Sequence, residues 1–354
     1  MKIAIVTGGV IPFSPKLIDS PHSIVLMAYL LTEKLVRRGH EVTAFVPSDS
    51  KTSAKIAPGW FPSTSPHFKY RLETLQRKKL FKKYCKNIIS QSSNFDIIHI
   101  HDIYLDGYKI LKKLPIPVIG TFHTVKLNRL NKKLIDKTLV AISKQQVKNN
   151  PKINFLGMAY NGIAVDLHPF NPQPKDYLLW MGRITPQKGT LEALEVASLT
   201  GKKLVMIGTI PSLPPLYKKY VKKVIREIKE NKNVKFLGFA KNFKEKTNYL
   251  KNASCLLMPI NWEEPFGLVM VEAMACGTPT IAFNRGAVPE IVKDGKTGFI
   301  VENVYQMAKA VEKISLISRK KCREWVEKNF TAEKMAMGYE KIYKKILKEW
   351  KRKI

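Results

Sequence analysis

Short apolar runs alternate with stretches of helical periodicity through the first half of the chain, and the alternation starts again after a cluster of prolines. Lys2 to Thr7 is an apolar run closed by Gly8 and Gly9, the way a buried parallel strand ends in a tight loop. A helix is predicted from Ser23 to Arg38, with Ile24, Met27, Ala28, Leu31 and Leu35 on one face; Gly39 stops it and Val42 to Val46 is the next strand. Further strands are predicted at Phe95 to Ile100, Val118 to Phe122 and Leu139 to Ile142, with a helix ending near Leu114 between the first two. Beyond Pro169 to Pro174, strands at Tyr177 to Met181, Lys203 to Gly208, Val234 to Leu237, Ser254 to Pro259 and Thr280 to Phe283 alternate with helices at Thr190 to Ala197, Tyr217 to Lys229 and Phe243 to Asn252. The expectation is an α/β chain with two Rossmann-like parallel sheets and a cleft between them. Helices from Val304 to Lys353 close the chain, the last with Met335, Tyr339, Ile342, Tyr343 and Ile346 on one face for packing on a domain.

A length of 354 residues suits two domains of ordinary size, which the proline cluster divides. No run approaches the roughly 18 to 20 apolar residues of a membrane span, and no cleavage-site pattern follows Ile3 to Thr7, so a cytoplasmic location is expected. Cys85, Cys255, Cys276 and Cys322 form no CxxC pair and read as small buried hydrophobes in a reducing compartment. The net charge of +33 admits nucleic acid, an anionic membrane or a polyanionic substrate as partner, but the lysines are spread over the whole chain, as on solvated faces. No basic and aromatic nucleic-acid motif stands out, so a specific nucleic acid is not expected.

Residues 77–89 form a basic amphipathic helix, with Leu80, Phe81, Tyr84, Cys85, Ile88 and Ile89 opposite Arg77, Lys78, Lys79, Lys82, Lys83 and Lys86. Such a face suits peripheral contact with an anionic membrane, which would put the protein on its inner surface. The same periodicity suits a surface helix packed on its sheet, and that is the preferred expectation.

Two stretches carry chemistry. Gly182-Arg183-Ile184-Thr185-Pro186-Gln187-Lys188-Gly189 follows the first strand of the second half, where open parallel sheets bind ligands. Arg183 offers a planar fork and Lys188 a point charge, a pair suited to a diphosphate. In Asn261 to Thr280, NWEEPFGLVMVEAMACGTPT, Glu264 and Glu272 bracket a Pro265-Phe266-Gly267 turn that opens a helix at Leu268 and Val269. The helix-start amides suit phosphate, and a carboxylate accepts hydrogen bonds from paired hydroxyls, so one glutamate suits a sugar ring and the other a ribose.

These residues resemble the donor site of the family 4 retaining glycosyltransferases, enzymes of the GT-B fold with a Glu-x7-Glu element. Glu264 and Glu272 match that element, and Arg183 and Lys188 match the diphosphate pair. The likeness continues through Gly286-Ala287-Val288-Pro289-Glu290 and Asp294-Gly295-Lys296-Thr297-Gly298, and more loosely through Arg38-Gly39-His40-Glu41-Val42 and Tyr160-Asn161-Gly162. It implies transfer of a hexose from a nucleotide diphosphate sugar, UDP-linked or GDP-linked, to a carbohydrate or lipid-linked acceptor, with the anomeric configuration kept and no metal or other cofactor needed.

By the same resemblance the donor domain is 173–330, and the acceptor domain is 1–172 joined by a C-terminal helix, 331–354, that crosses back to it. The donor contacts implied are Gly8, Gly9, Arg183, Lys188, Glu264, Pro265, Phe266, Gly267, Leu268, Val269 and Glu272. His123, in Thr-Phe-His-Thr, matches the family histidine that reaches the reacting sugar, and joins Glu264, Arg183 and Lys188 as the catalytic set. His99, His101 and Asp102 are acceptor-side candidates; a metal-ligand role for the two histidines is the weaker alternative, with no third ligand at a fitting spacing.

The chain departs from many relatives at Asp19 to Ile24, where a Gly-Gly-Ile/Val-Glu segment is usual, and at Phe239, where an acidic residue is common. The alternatives are another reaction on this fold, a sugar-nucleotide epimerase or a phosphorylase, and a non-catalytic nucleic-acid-binding protein.

Overall fold

The first apolar run, Lys2–Val6 (β1), pairs in parallel with Glu41–Phe45 (β2), and β2 pairs with Lys55–Ile56 (β3). On its other side β1 meets Ile97–Ile100 (β4), followed outward by Val118–Thr121 (β5), Leu139–Ala141 (β6) and Gly157–Met158 (β7). The order β3-β2-β1-β4-β5-β6-β7 is wholly parallel and reverses direction of growth between β1 and β4. That reversal is the topological switch point where such sheets open a crevice beyond their carboxyl ends.

The computed structural model describes residues 1–63, 74–101, 111, 113–125, 138–210 and 215–352. It divides into Met1–Gly162 with Ala332–Ile354 as one unit and Ile163–Thr331 as the other. The division falls ahead of the proline cluster, which belongs to the second unit.

The second unit repeats the plan with Leu178–Arg183 (β8), Leu204–Thr209 (β9), Val234–Phe236 (β10), Cys255–Met258 (β11), Thr280–Phe283 (β12) and Gly298–Val301 (β13). Its order, β10-β9-β8-β11-β12-β13, is again parallel, with the switch between β8 and β11. Strands covered on both faces need apolar side chains at successive positions, and β11 and β12 are buried throughout. Leu178, Trp180, Leu257 and Ile281 form that core with Ala193, Val196 and Met307 from flanking helices.

Helix Thr74–Ser90 buries Tyr84, Cys85 and Ile88 on the first sheet, while Lys79, Lys82, Lys83 and Lys86 stay exposed. The Tyr84 hydroxyl donates towards the carbonyls of Phe45 (2.5 Å) and Thr7 (3.0 Å), at the ends of β2 and β1. The four cysteines are free and buried. Among the described residues no helix is long and apolar enough to cross a membrane.

The last helix, Ala332–Lys351, packs on Ser23–Arg37 in the first unit and buries Met335, Tyr339, Ile342, Tyr343 and Ile346. Arg38 grips Glu340 with both arms of its guanidinium, Nε to Oε1 at 2.7 Å and Nη2 to Oε2 at 2.8 Å, and also pairs with Glu333. His40 adds a contact from Nε2 to Glu340 Oε1 at 2.7 Å. These hydrogen bonds, Arg38 first, hold the Glu340 carboxyl down to about 2 against the opposing effect of burial. The Arg38-Gly39-His40 segment thus clamps the returning helix.

Candidate active site

In the second unit β8 ends at Arg183, whose side chain is exposed and makes no hydrogen bond or ion pair among the described residues. The chain then turns through Pro186–Lys188 to Gly189. Gly189 has φ +63°, and a Cβ there would lie 1.7 Å from the Pro259 carbonyl oxygen just beyond β11, so only glycine allows this turn to rest on the neighbouring strand end. The Trp180 indole donates to the Lys188 carbonyl at 3.0 Å, and the Asn261 amide donates to the Gln187 carbonyl at 3.0 Å. The two loops flanking the switch point are therefore tied together.

That tie brings Lys188 to Glu264, which is 8% exposed: Nζ lies 2.6 Å from Oε2. The Trp262 indole N–H donates to the same oxygen at 3.0 Å, and the Lys188 ammonium stands 4.7 Å from the Trp262 ring centroid. The Glu264 backbone is held from behind by Gly286 and Ala287. Gly286 has φ +56° and its Cβ would fall 2.3 Å from the Glu264 amide nitrogen, while the Ala287 amide donates to the Glu264 carbonyl at 2.8 Å. The motif around Gly286 earns its place by this close approach.

Gly267 begins helix Leu268–Ala275 with no side-chain cap, so the first-turn amides are left without one, next to the Glu264 side chain. One turn further in, Glu272 is 7% exposed and paired with Lys246, Nζ to Oε1 at 2.7 Å. Lys246 stands on helix Phe243–Asn252, whose start is fixed by the Asn242 side chain accepting from the Glu245 amide at 2.9 Å. Each glutamate of the pair thus has its own lysine. Lys246 and Trp262 were not singled out from sequence. In so lysine-rich a chain no pattern marks one lysine, and the indole contact depends on how the loop folds.

The first unit holds Gly9, His99, His101 and His123 at or near the carboxyl ends of its strands. The Gly9 carbonyl follows β1 and accepts from the Trp60 indole at 2.6 Å. His99, on β4, is 0% exposed, with Nδ1 2.6 Å from the Tyr343 hydroxyl and Nε2 2.7 Å from the Thr121 hydroxyl. Both ring nitrogens are therefore committed, and Thr121 contacts the Tyr339 hydroxyl at 2.7 Å, which links β4 and β5 to the returning helix. His101 is buried with Nδ1 3.2 Å from His123 Nε2, and its own Nε2 has no hydrogen-bond partner among the described residues.

Burial pushes the His99 pKa down to about 3 and His123 to about 4, and takes His101 well below the usual imidazole range, with its neighbouring histidines adding to the effect. All three rings are uncharged at neutral pH, and the His101–His123 contact is one N–H···N hydrogen bond. Asp102 lies outside the described residues. Among those described, no group of three His, Cys, Asp or Glu side chains is disposed to hold a metal ion.

The arrangement in the second unit can offer cations and helix amides to an anion, and carboxylates to hydroxyls, within one crevice of one sheet. Residues 168–331 match the family model for glycosyl transferases group 1, and residues 24–149 match that for glycosyltransferase family 4. An uncharacterized glycosyltransferase of Methanocaldococcus jannaschii is 29% identical over 74% of this chain and 78% of its own. Among solved structures, the sucrose-phosphate synthase of Thermosynechococcus elongatus superposes with a TM-score of 0.75 at 18% identity, over 99% of this chain and 100% of that one. HepE of Anabaena, in complex with UDP and glucose, gives 0.68 at 16% identity over 96% and 98%. The two family domains and the shared GT-B architecture place this chain in the glycosyltransferase family, as a transferase enzyme.

Proposed function

We propose that the protein is a retaining glycosyltransferase that moves a hexose from a UDP-sugar or GDP-sugar to a carbohydrate acceptor, free or lipid-linked, and does so without a metal ion. The observation that carries this reading is the meeting of Lys188 and Glu264 at 2.6 Å beside an uncapped helix start, with Arg183 at the end of the adjoining strand and without a partner among the described residues. Groups of opposite charge, side by side, are what a ligand with phosphates at one end and hydroxyls at the other requires.

In this proposal Arg183, Lys188 and the amides of Leu268 and Val269, on the turn Pro265-Phe266-Gly267, hold the diphosphate; Glu264 takes the hexose hydroxyls and Glu272 the ribose. The bond from the anomeric carbon to the diphosphate oxygen breaks as the bond to the acceptor oxygen forms on the same face. The acceptor's proton passes to the departing phosphate oxygen. Negative charge grows on that phosphate, and the cations lower the barrier by meeting it there. In the first unit Gly8 and Gly9 are proposed for the donor phosphates, His123 for the sugar, and His99, His101 and Asp102 for the acceptor side. The HepE complex with UDP and glucose supports a nucleotide-sugar ligand. Free buried cysteines support a cytoplasmic setting, and the exposed lysines of Thr74–Ser90 support peripheral contact with anionic lipid.

Incubation with nucleotide sugars, with and without saccharide acceptors, tests the reading by product analysis. A glycosylated acceptor whose anomeric configuration matches the donor's is expected. An epimerised donor formed without acceptor, or a sugar 1-phosphate formed from a glycan and phosphate, would replace it with an epimerase or a phosphorylase.

A further inference from the structure

We propose that Trp262 is a positioning residue for the donor sugar, because it determines which oxygen of Glu264 the sugar meets. The inference rests on the reading that Glu264 binds the hexose. The Trp262 indole N–H and the Lys188 ammonium both engage Oε2, at 3.0 and 2.6 Å, and no hydrogen bond engages Oε1 among the described residues. An ionised carboxylate can accept on either oxygen, and two donors fixed to one of them set its rotation and leave the other for a ligand hydroxyl.

The same indole ring lies 4.7 Å from the Lys188 ammonium. When a diphosphate draws that ammonium away from Oε2, the indole N–H stays behind as the donor. Glu264 thus keeps its orientation through the exchange, and the ring keeps the cation close to the site. Trp262 itself is half-buried and is not part of the apolar cluster built on Leu178, Trp180 and Leu257. Among the described residues its indole meets both charged groups, donating to Glu264 and facing Lys188.

Calorimetry on wild type, Trp262→Phe, Glu264→Gln and the double variant tests this, with UDP, GDP, UDP-glucose, UDP-N-acetylglucosamine and GDP-mannose as probes. For the probe pair that binds, Trp262→Phe is expected to reduce the affinity that the sugar adds over the bare diphosphate roughly tenfold, as for loss of a hydrogen bond to a charged group. Affinity for the bare diphosphate should stay within about twofold, and Trp262→Phe should add little in the Glu264→Gln background. Equal loss for diphosphate and nucleotide sugar would show a general structural role and overturn the proposal. So would an unchanged sugar increment, or a wild type in which the sugar adds no affinity. A wild type that binds no probe would instead remove the donor-site reading beneath it.

Discussion

Lys188 Nζ lies 2.6 Å from Glu264 Oε2, so the cation proposed for the donor's phosphates and the carboxylate proposed for its sugar are partners before any ligand arrives. Binding must exchange that ion pair for contacts with the donor. Neither charge is then left bare in the resting protein, where burying an unpaired charge would be costly.

Glu264→Ala and Lys188→Ala are each expected to lower kcat/KM for transfer by at least about a hundredfold, as for loss of a group that stabilises charge in the transition state. The two part company in binding. Glu264→Ala frees Lys188 and should bind the bare nucleoside diphosphate at least as tightly as wild type, whereas Lys188→Ala should bind it more weakly. Kinetics beside calorimetry on proteins with native circular dichroism would check both, and wild-type turnover in a folded Glu264→Ala protein would remove the assignment.

Glu272, paired with Lys246 at 2.7 Å, is proposed to meet the ribose rather than the hexose. Glu272→Ala should therefore weaken binding of bare UDP or GDP by roughly tenfold, the effect of losing hydrogen bonds to a charged group. Lys246→Met should have a smaller effect in the same direction, because it leaves the carboxylate in place but unsupported. Titration of each variant with the bare nucleotide, compared with Glu264→Ala, reads the division of labour.

The clamp of Arg38 and His40 on Glu340 makes stability depend on pH. The Glu340 carboxyl falls from its ordinary value of 4.5 to about 2 in the folded chain, chiefly through Arg38. Its contribution is complete above the unfolded value and is lost as pH falls through the folded one, that is, between about pH 5 and pH 2. Allowing for solvent at Arg38, the contribution is of the order of 2 kcal/mol. Thermal melts from pH 6 to pH 3 should show wild type losing more stability than Arg38→Met over that window, and parallel curves would count against the clamp.

Gly286→Ala tests the backing of Glu264. The added Cβ would fall 2.3 Å from the Glu264 amide nitrogen at a φ of +56°. The left-handed conformation alone costs roughly 1–2 kcal/mol for alanine, and the overlap must displace the Glu264 backbone as well. A lowered melting temperature together with loss of transfer is expected, and a stable, fully active variant would mean that the loop yields freely.

Chelation bears on the proposed absence of a metal. Transfer in excess EDTA is expected to equal transfer without it. Loss of activity restored by a divalent ion would return His99 and His101 to consideration as ligands, against the two hydroxyl contacts that now occupy the His99 nitrogens.

Much of the architecture was legible because apolar periodicity and burial have the same origin. Helix Phe243–Asn252 and strand Thr280–Phe283 fall where their patterns end. The two-residue strands Lys55–Ile56 and Gly157–Met158 are too short to carry a period, and Gly298 is read only as the end of a family motif, so the strand Gly298–Val301 that it begins is not predicted. The predicted helix between β4 and β5 lies largely outside the described residues.

By itself the sequence determined the two rounds of strand and helix, the glycines at the turns and the spacing of Glu264 and Glu272. These are local properties, written within a few residues of one another. Tertiary structure alone decided the pairing: Lys188 with Glu264, Lys246 with Glu272, Trp262 on Oε2, and Arg38 with Glu340. In a chain of net charge +33 most lysines are interchangeable on paper. What selects Lys188 is the parallel sheet, which sets strands remote in sequence side by side so that their loops meet at the switch point, while Lys246 is selected by the packing of its helix on the helix that carries Glu272.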